Sequence, residues 1–121
     1  MKITLIAFAA ATLGVAVASP SFAAGPGKFA GCYVEKDGRV IAKRECKFHA
    51  NGPGGSFQIS GEYKEDLARG VAYVDVKVGR LGAGVVYARL ANGRYVRWGS
   101  VSRSTSDRGC WVGSGLTICA L

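Results

Sequence analysis

Residues 85–99 read VVYARLANGRYVRWG, two alternating runs joined at Ala91-Asn92-Gly93. Two registers are open to this hairpin. A two-residue loop at Asn92-Gly93 pairs Ala91 with Arg94; it then sets Leu90 beside Tyr95 and Ala88 beside Arg97, mixing apolar and charged side chains on each face. A three-residue loop, with Gly93 in the left-handed position that glycine adopts readily, pairs Leu90 with Arg94. Arg89 then faces Tyr95 and Tyr87 faces Arg97 on one side, with Val86, Ala88, Val96 and Trp98 on the other. A one-residue slip would turn every apolar side chain outward, so a buried face selects the second register. Antiparallel strands with one apolar and one polar face belong to small barrels and sandwiches.

The flanking sequence carries the same period of two. In VAYVDVKV, residues 71–78, Ala72, Val74, Val76 and Val78 are expected on one face and Tyr73, Asp75 and Lys77 on the other. Further strand-like runs cover residues 29–35, 40–43, 46–49, 56–63, 85–90 and 94–100, and a closing hairpin spans 111–120 around Gly113-Ser114-Gly115. Asp37-Gly38 suits a type I′ turn, and residues 51–55, NGPGG, can continue neither helix nor ladder. Only residues 65–69 could form a helical turn. The chain's 18 glycines punctuate short runs without a repeat. The expected fold is therefore one all-β domain, a small antiparallel barrel or sandwich of about six to eight strands.

The first 23 residues read as a secretory signal peptide. Met1-Lys2 gives a basic start, residues 3–18 are apolar or small, and Ser21-Phe22-Ala23 supplies a cleavage site after Ala23. The remainder, residues 24–121, forms a single domain expected to be periplasmic or secreted, with no transmembrane segment after signal removal. Chains this small bury only about 60–65% of their unfolded surface, so covalent staples help. Cys32, Cys46, Cys110 and Cys119 give an even count in an exported chain and read as two disulfides. Of three connectivities, Cys32–Cys46 and Cys110–Cys119 are favoured because each pair flanks a hairpin.

The charge is +8 and uneven. Residues 67–121 hold eight Lys/Arg against two Asp/Glu, whereas residues 24–66 are nearly balanced. Such a field favours anionic partners. In the envelope these would be lipopolysaccharide, acidic glycans or acidic proteins; nucleic acid fits the charge but not the compartment. Candidate ligand-binding residues are Tyr87, Arg89, Tyr95 and Arg97, with Tyr73 and Lys77 beside them, where guanidinium groups could hold phosphate or carboxylate and rings could stack on sugars.

Catalytic and metal constellations are not visible. His49 is the single histidine and no C-x-x-C occurs, so neither a nucleophile–base set nor zinc spacing exists. Nothing marks Glu62 or Asp75 as an acid/base pair. The glycine-rich 52–55 lacks the Lys-Ser/Thr of a phosphate loop. Neither enzyme activity nor any cofactor is expected.

Two resemblances accompany these residues. The early Cys32–Asp37-Gly38–Cys46 segment, GSF at 55–57 and DRGCWVGSGLTICA at 107–120 resemble small exported, disulfide-containing proteins of alphaproteobacterial type. In that motif Trp111 is expected to pack over the terminal disulfide. SGEY at 60–63 is similar to the Ser-Gly-x-x-Tyr element of periplasmic inhibitors of c-type lysozyme, with Tyr63 one position early. That likeness implies a proteinaceous inhibitor whose loops, 51–55 and 61–63, carry the contact.

Overall fold

The computed structural model describes residues 28–121. The signal-peptide reading of residues 1–23 lies outside them. Eight strands follow one another: β1 (Lys28–Lys36), β2 (Arg39–Ala50), β3 (Phe57–Ser60), β4 (Val71–Val78), β5 (Ala83–Leu90), β6 (Tyr95–Arg103), β7 (Cys110–Gly113) and β8 (Leu116–Ala120). Each pairs antiparallel with the next, and β8 pairs with β1, so the sheet closes into an up-and-down barrel with no free edge. Between a barrel and a sandwich, the closing pair Cys119↔Tyr33 decides for the barrel.

Side-chain alternation builds the interior. Val34, Ile59, Val74, Val76, Val86, Ala88 and Ile118 are fully buried and fill the lumen. An eight-stranded barrel has an interior about wide enough for its own side chains, and here they occupy it. One rim, called upper below, gathers the connections 37–38, 61–70, 91–94 and 114–115; the lower rim gathers 51–56, 79–82, 104–109 and both ends of the described chain.

Several local readings change in three dimensions. The runs 40–43 and 46–49 are one strand, β2, with a bulge at Ile41 that absorbs the extra residue between Val34↔Ala42 and Glu35↔Val40. The run 56–63 is a strand only over Phe57–Ser60. Residues 65–69 form no helical turn: an Ala68↔Val71 bridge holds them as a bend, and Leu67 is inserted, buried, under the upper rim. A second bulge at Ala72 removes it from the inner row and turns Val71 inward instead.

Both disulfides join the expected pairs, Cys32–Cys46 and Cys110–Cys119. Cys32 and Cys46 belong to the hydrophobic core cluster, between β1 and β2. Cys110 and Cys119 are direct partners on β7 and β8. Trp111 does not lie over that bridge. Neighbouring residues on a strand point to opposite faces, so Trp111 joins the core while the bridge falls on the other side of the sheet. Two intramolecular disulfides are compatible with an oxidising, exported location.

Candidate functional site

The β5–β6 hairpin adopts the three-residue loop. The Leu90 N–H donates to the Arg94 carbonyl at 2.8 Å, and Gly93 sits at φ 92°. Arg89 pairs with Tyr95, Ala88 with Val96 and Tyr87 with Arg97. Tyr73, Asp75 and Lys77 on β4 stand beside this outer face, through Tyr73↔Arg89 and Asp75↔Tyr87.

Five of the six candidate residues meet. The Tyr87 and Tyr95 rings stack with centroids 5.3 Å apart and planes 5° from parallel. The Arg89 guanidinium carbon lies 4.8 Å from the Tyr95 ring centre and 6.0 Å from that of Tyr73. The Lys77 Nζ lies 5.5 Å from the Tyr87 ring centre and 6.0 Å from that of Tyr95. Such contacts contribute about 0.5–1 kcal/mol each at exposed sites. Arg89 is further fixed by donating from Nη1 to the Gly93 carbonyl at 2.7 Å and from Nε to the Tyr73 hydroxyl at 3.3 Å.

Arg97 does not join the stack. A bulge at Trp98–Gly99, with Gly99 at φ 151°, brings Ser100 onto the outer face. Arg97 Nη2 donates to Ser100 Oγ at 2.9 Å, while its backbone stands opposite Tyr87. Gly99 is the one sequence signal for this bulge, since isolated strand glycines often mark one.

Asp75 is the residue whose role the sequence conceals. It sits on the outer face yet is only 9% exposed, because Tyr95 covers it. Gln58 Nε2 donates to its Oδ1 at 3.0 Å and the Tyr95 hydroxyl donates to its Oδ2 at 2.5 Å. The only acid on β4–β6 is thus satisfied underneath, and the surface above it is cationic. Among the described residues Lys77, Arg89 and Arg97 form no salt bridge.

Tyr95 titrates well above the usual tyrosine range, first because its hydroxyl is withdrawn from water and second because it donates to Asp75. A raised tyrosine pKa favours the neutral phenol in the fold; the stability it gives is present below about pH 10 and is lost as pH rises beyond that. Tyr95→Phe is therefore expected to lower stability near about pH 8, with the gap to wild type narrowing towards about pH 11. Urea midpoints at both pH values check this, and a gap of constant size would contradict it.

The arrangement is a cation row on an aromatic base rather than an open stacking platform. One face of each tyrosine is occupied by the other, and Arg89 and Lys77 sit over the rings as well. What the surface offers a ligand is N–H groups, which suit phosphate and carboxylate oxygens. Among the described residues no three His, Cys, Asp or Glu side chains converge as a metal cluster would require, all four cysteines are bridged, and no helix is long and apolar enough to cross a membrane. Comparison with known protein families, with curated proteins and with solved structures finds no match for this chain.

Proposed function

We propose that this protein is a non-catalytic module of the periplasm or secreted space that holds anionic envelope components through the outer face of β4–β6. Lipopolysaccharide, an acidic glycan or an acidic protein would each offer the phosphate or carboxylate oxygens that these N–H groups suit. The observation that carries this reading is the unpaired cation row, Lys77, Arg89 and Arg97, whose one neighbouring acid, Asp75, is covered by Tyr95. Retention of the purified chain on immobilised lipopolysaccharide or peptidoglycan is expected to fall as salt rises. Arg89→Ala with Arg97→Ala is expected to weaken it about tenfold at low salt, roughly 1.4 kcal/mol. Unchanged retention would remove this face from the function.

A second reading, a proteinaceous inhibitor of lysozyme-type enzymes, is favoured by one residue. Tyr63 is 83% exposed and held at φ 56°, a backbone conformation that large side chains rarely adopt. Inhibition of a c-type lysozyme that disappears with Tyr63→Ala would support it; no inhibition at micromolar excess would dismiss it.

A further inference from the structure

The lower rim carries a feature that the barrel itself does not require. In the turn Arg80-Leu81-Gly82-Ala83 the Ala83 N–H donates to the Arg80 carbonyl at 3.1 Å, and Leu81 and Gly82 both have positive φ, 58° and 73°. The upper rim builds a turn with the same signs from Asp37 and Gly38, φ 54° and 80°. Asp-Gly and Asn-Gly are the pairs such turns prefer. Leucine at the first position strains the backbone, since its Cβ crowds the neighbouring carbonyl. Packing does not compensate, because Leu81 is 99% exposed. Strained backbone that packing does not offset clusters at functional positions.

Its neighbours indicate what it meets. The Arg103 N–H donates to the Gly82 carbonyl at 2.8 Å. Arg103 and Arg108 line one recess of about 150 Å³ at the mouth of the barrel, together with Phe48 and Phe57. Among the described residues Arg80, Arg103 and Arg108 have no salt-bridge partner. Phe29, 50% exposed, stands on the same rim beside Lys28. The lower connections contain a single acid, Asp107, whose Oδ1 accepts from the Gly109 N–H; the upper connections contain Asp37, Glu62, Glu65 and Asp66.

Arg103 lies 4.7 Å over the Trp111 ring and Lys28 5.6 Å over the Phe48 ring, contacts that leave their N–H groups without an anionic partner. Apolar tips set among cations that lack salt bridges fit the boundary of an anionic bilayer, where acyl chains lie just beneath phosphates. We propose that the lower rim docks on such a membrane surface, with Leu81 and Phe29 entering the acyl boundary and Arg80, Arg103, Arg108 and Lys28 meeting the headgroup phosphates. The filled lumen leaves no room for an acyl chain inside the barrel. This surface is separate from the β4–β6 face and does not depend on it.

The test uses the chain from Ala24 onward, which contains the closed barrel, its whole core and both disulfides. It is sedimented at low salt with vesicles of phosphatidylcholine and phosphatidylglycerol in equal parts, and with phosphatidylcholine alone. Binding is expected only to the anionic vesicles. Leu81→Asn, which suits the turn better, is expected to reduce partitioning about tenfold while leaving the melting temperature unchanged or raised. Arg80→Glu with Arg108→Glu is expected to reduce it at least tenfold. Arg69→Ala with Arg94→Ala, which removes the same charge from the upper rim, is expected to leave it nearly unchanged, and Leu81→Asn is expected to leave retention on immobilised lipopolysaccharide unchanged, which keeps this outcome distinct from failure on the β4–β6 face. The proposal is overturned by absence of binding to anionic vesicles, by equal binding to neutral ones, or by rim variants that bind like wild type. It is equally overturned if soluble heparin binds as well as vesicles and Leu81→Asn changes neither, since the rim then recognises a polyanion.

Discussion

Gly61→Ala is expected to lower the melting temperature by about 10–20 °C, as overpacking by up to roughly 3 kcal/mol does in a domain of this size. Gly61 is buried at the start of the upper connection, and a Cβ there would fall against the backbone carbonyls of Glu65 and Asp66, 2.6 Å from the latter's oxygen. Those carbonyls have little freedom to retreat. Arg44 forms a salt bridge with the Glu65 side chain at 2.8 Å and donates from Nη1 to the Asp66 carbonyl at 3.3 Å. The Leu67 N–H is tied to the Ala72 carbonyl at 3.1 Å. The added methyl must therefore displace the connection as a unit and lift Leu67, 1% exposed, out of the barrel end. Thermal unfolding followed by circular dichroism gives the answer, with Gly54→Ala as the control. No atom lies within 4 Å of a Cβ at Gly54, so that change is expected to stay within about 0.5 kcal/mol. A Gly61→Ala midpoint within a few degrees of wild type would show that the connection yields, and that Leu67 does not hold the barrel closed.

The second large effect concerns the disulfides, which are not equivalent. Replacing Cys32 and Cys46 together by Ala is expected to cost about 3–5 kcal/mol, and replacing Cys110 and Cys119 about 2–3 kcal/mol. The two closed loops differ little in entropy, with sequence separations of 14 and 9. All four cysteines are buried, and what separates the bridges is packing into the core cluster. Cys46 is fully buried and Cys32 nearly so, both within the core cluster, so removing their sulfurs also opens space among packed side chains. The Cys110–Cys119 bridge lies outside that cluster and joins two strands already held by the ladder Leu116↔Gly113 to Cys119↔Cys110. Urea midpoints of the two double variants decide the matter. An equal or greater loss at Cys110–Cys119 would mean that closure of the β7–β8 hairpin, rather than core filling, limits stability.

The sequence was most informative where a single physical preference governs a residue. Gly93 needs a left-handed backbone, and the apolar set Val86, Ala88, Val96 needs one face; together these specify the register of β5 and β6. Asp37-Gly38 specifies its turn in the same way, whereas hairpin-flanking positions favour one of three cysteine pairings, the one the structure contains. It was least informative where two residues distant in the chain compete for one place. The bulges at Ile41, Ala72 and Trp98–Gly99 arise because eight strands must bend to close, a demand on the whole sheet that no short window contains. The bulge at Trp98–Gly99 places Ser100 on the outer face, where it accepts from Arg97.

By itself, then, the sequence determined an all-β chain with two local crosslinks, an apolar inside and a tyrosine–arginine hairpin, because alternation, turn chemistry and cysteine placement act over a few residues. Tertiary structure alone decided that β8 meets β1, that Asp75 is covered by Tyr95, and that Leu81 stands with Arg103 and Arg108 on one rim. Each of these depends on closure of the ring, which brings together residues separated by tens of positions.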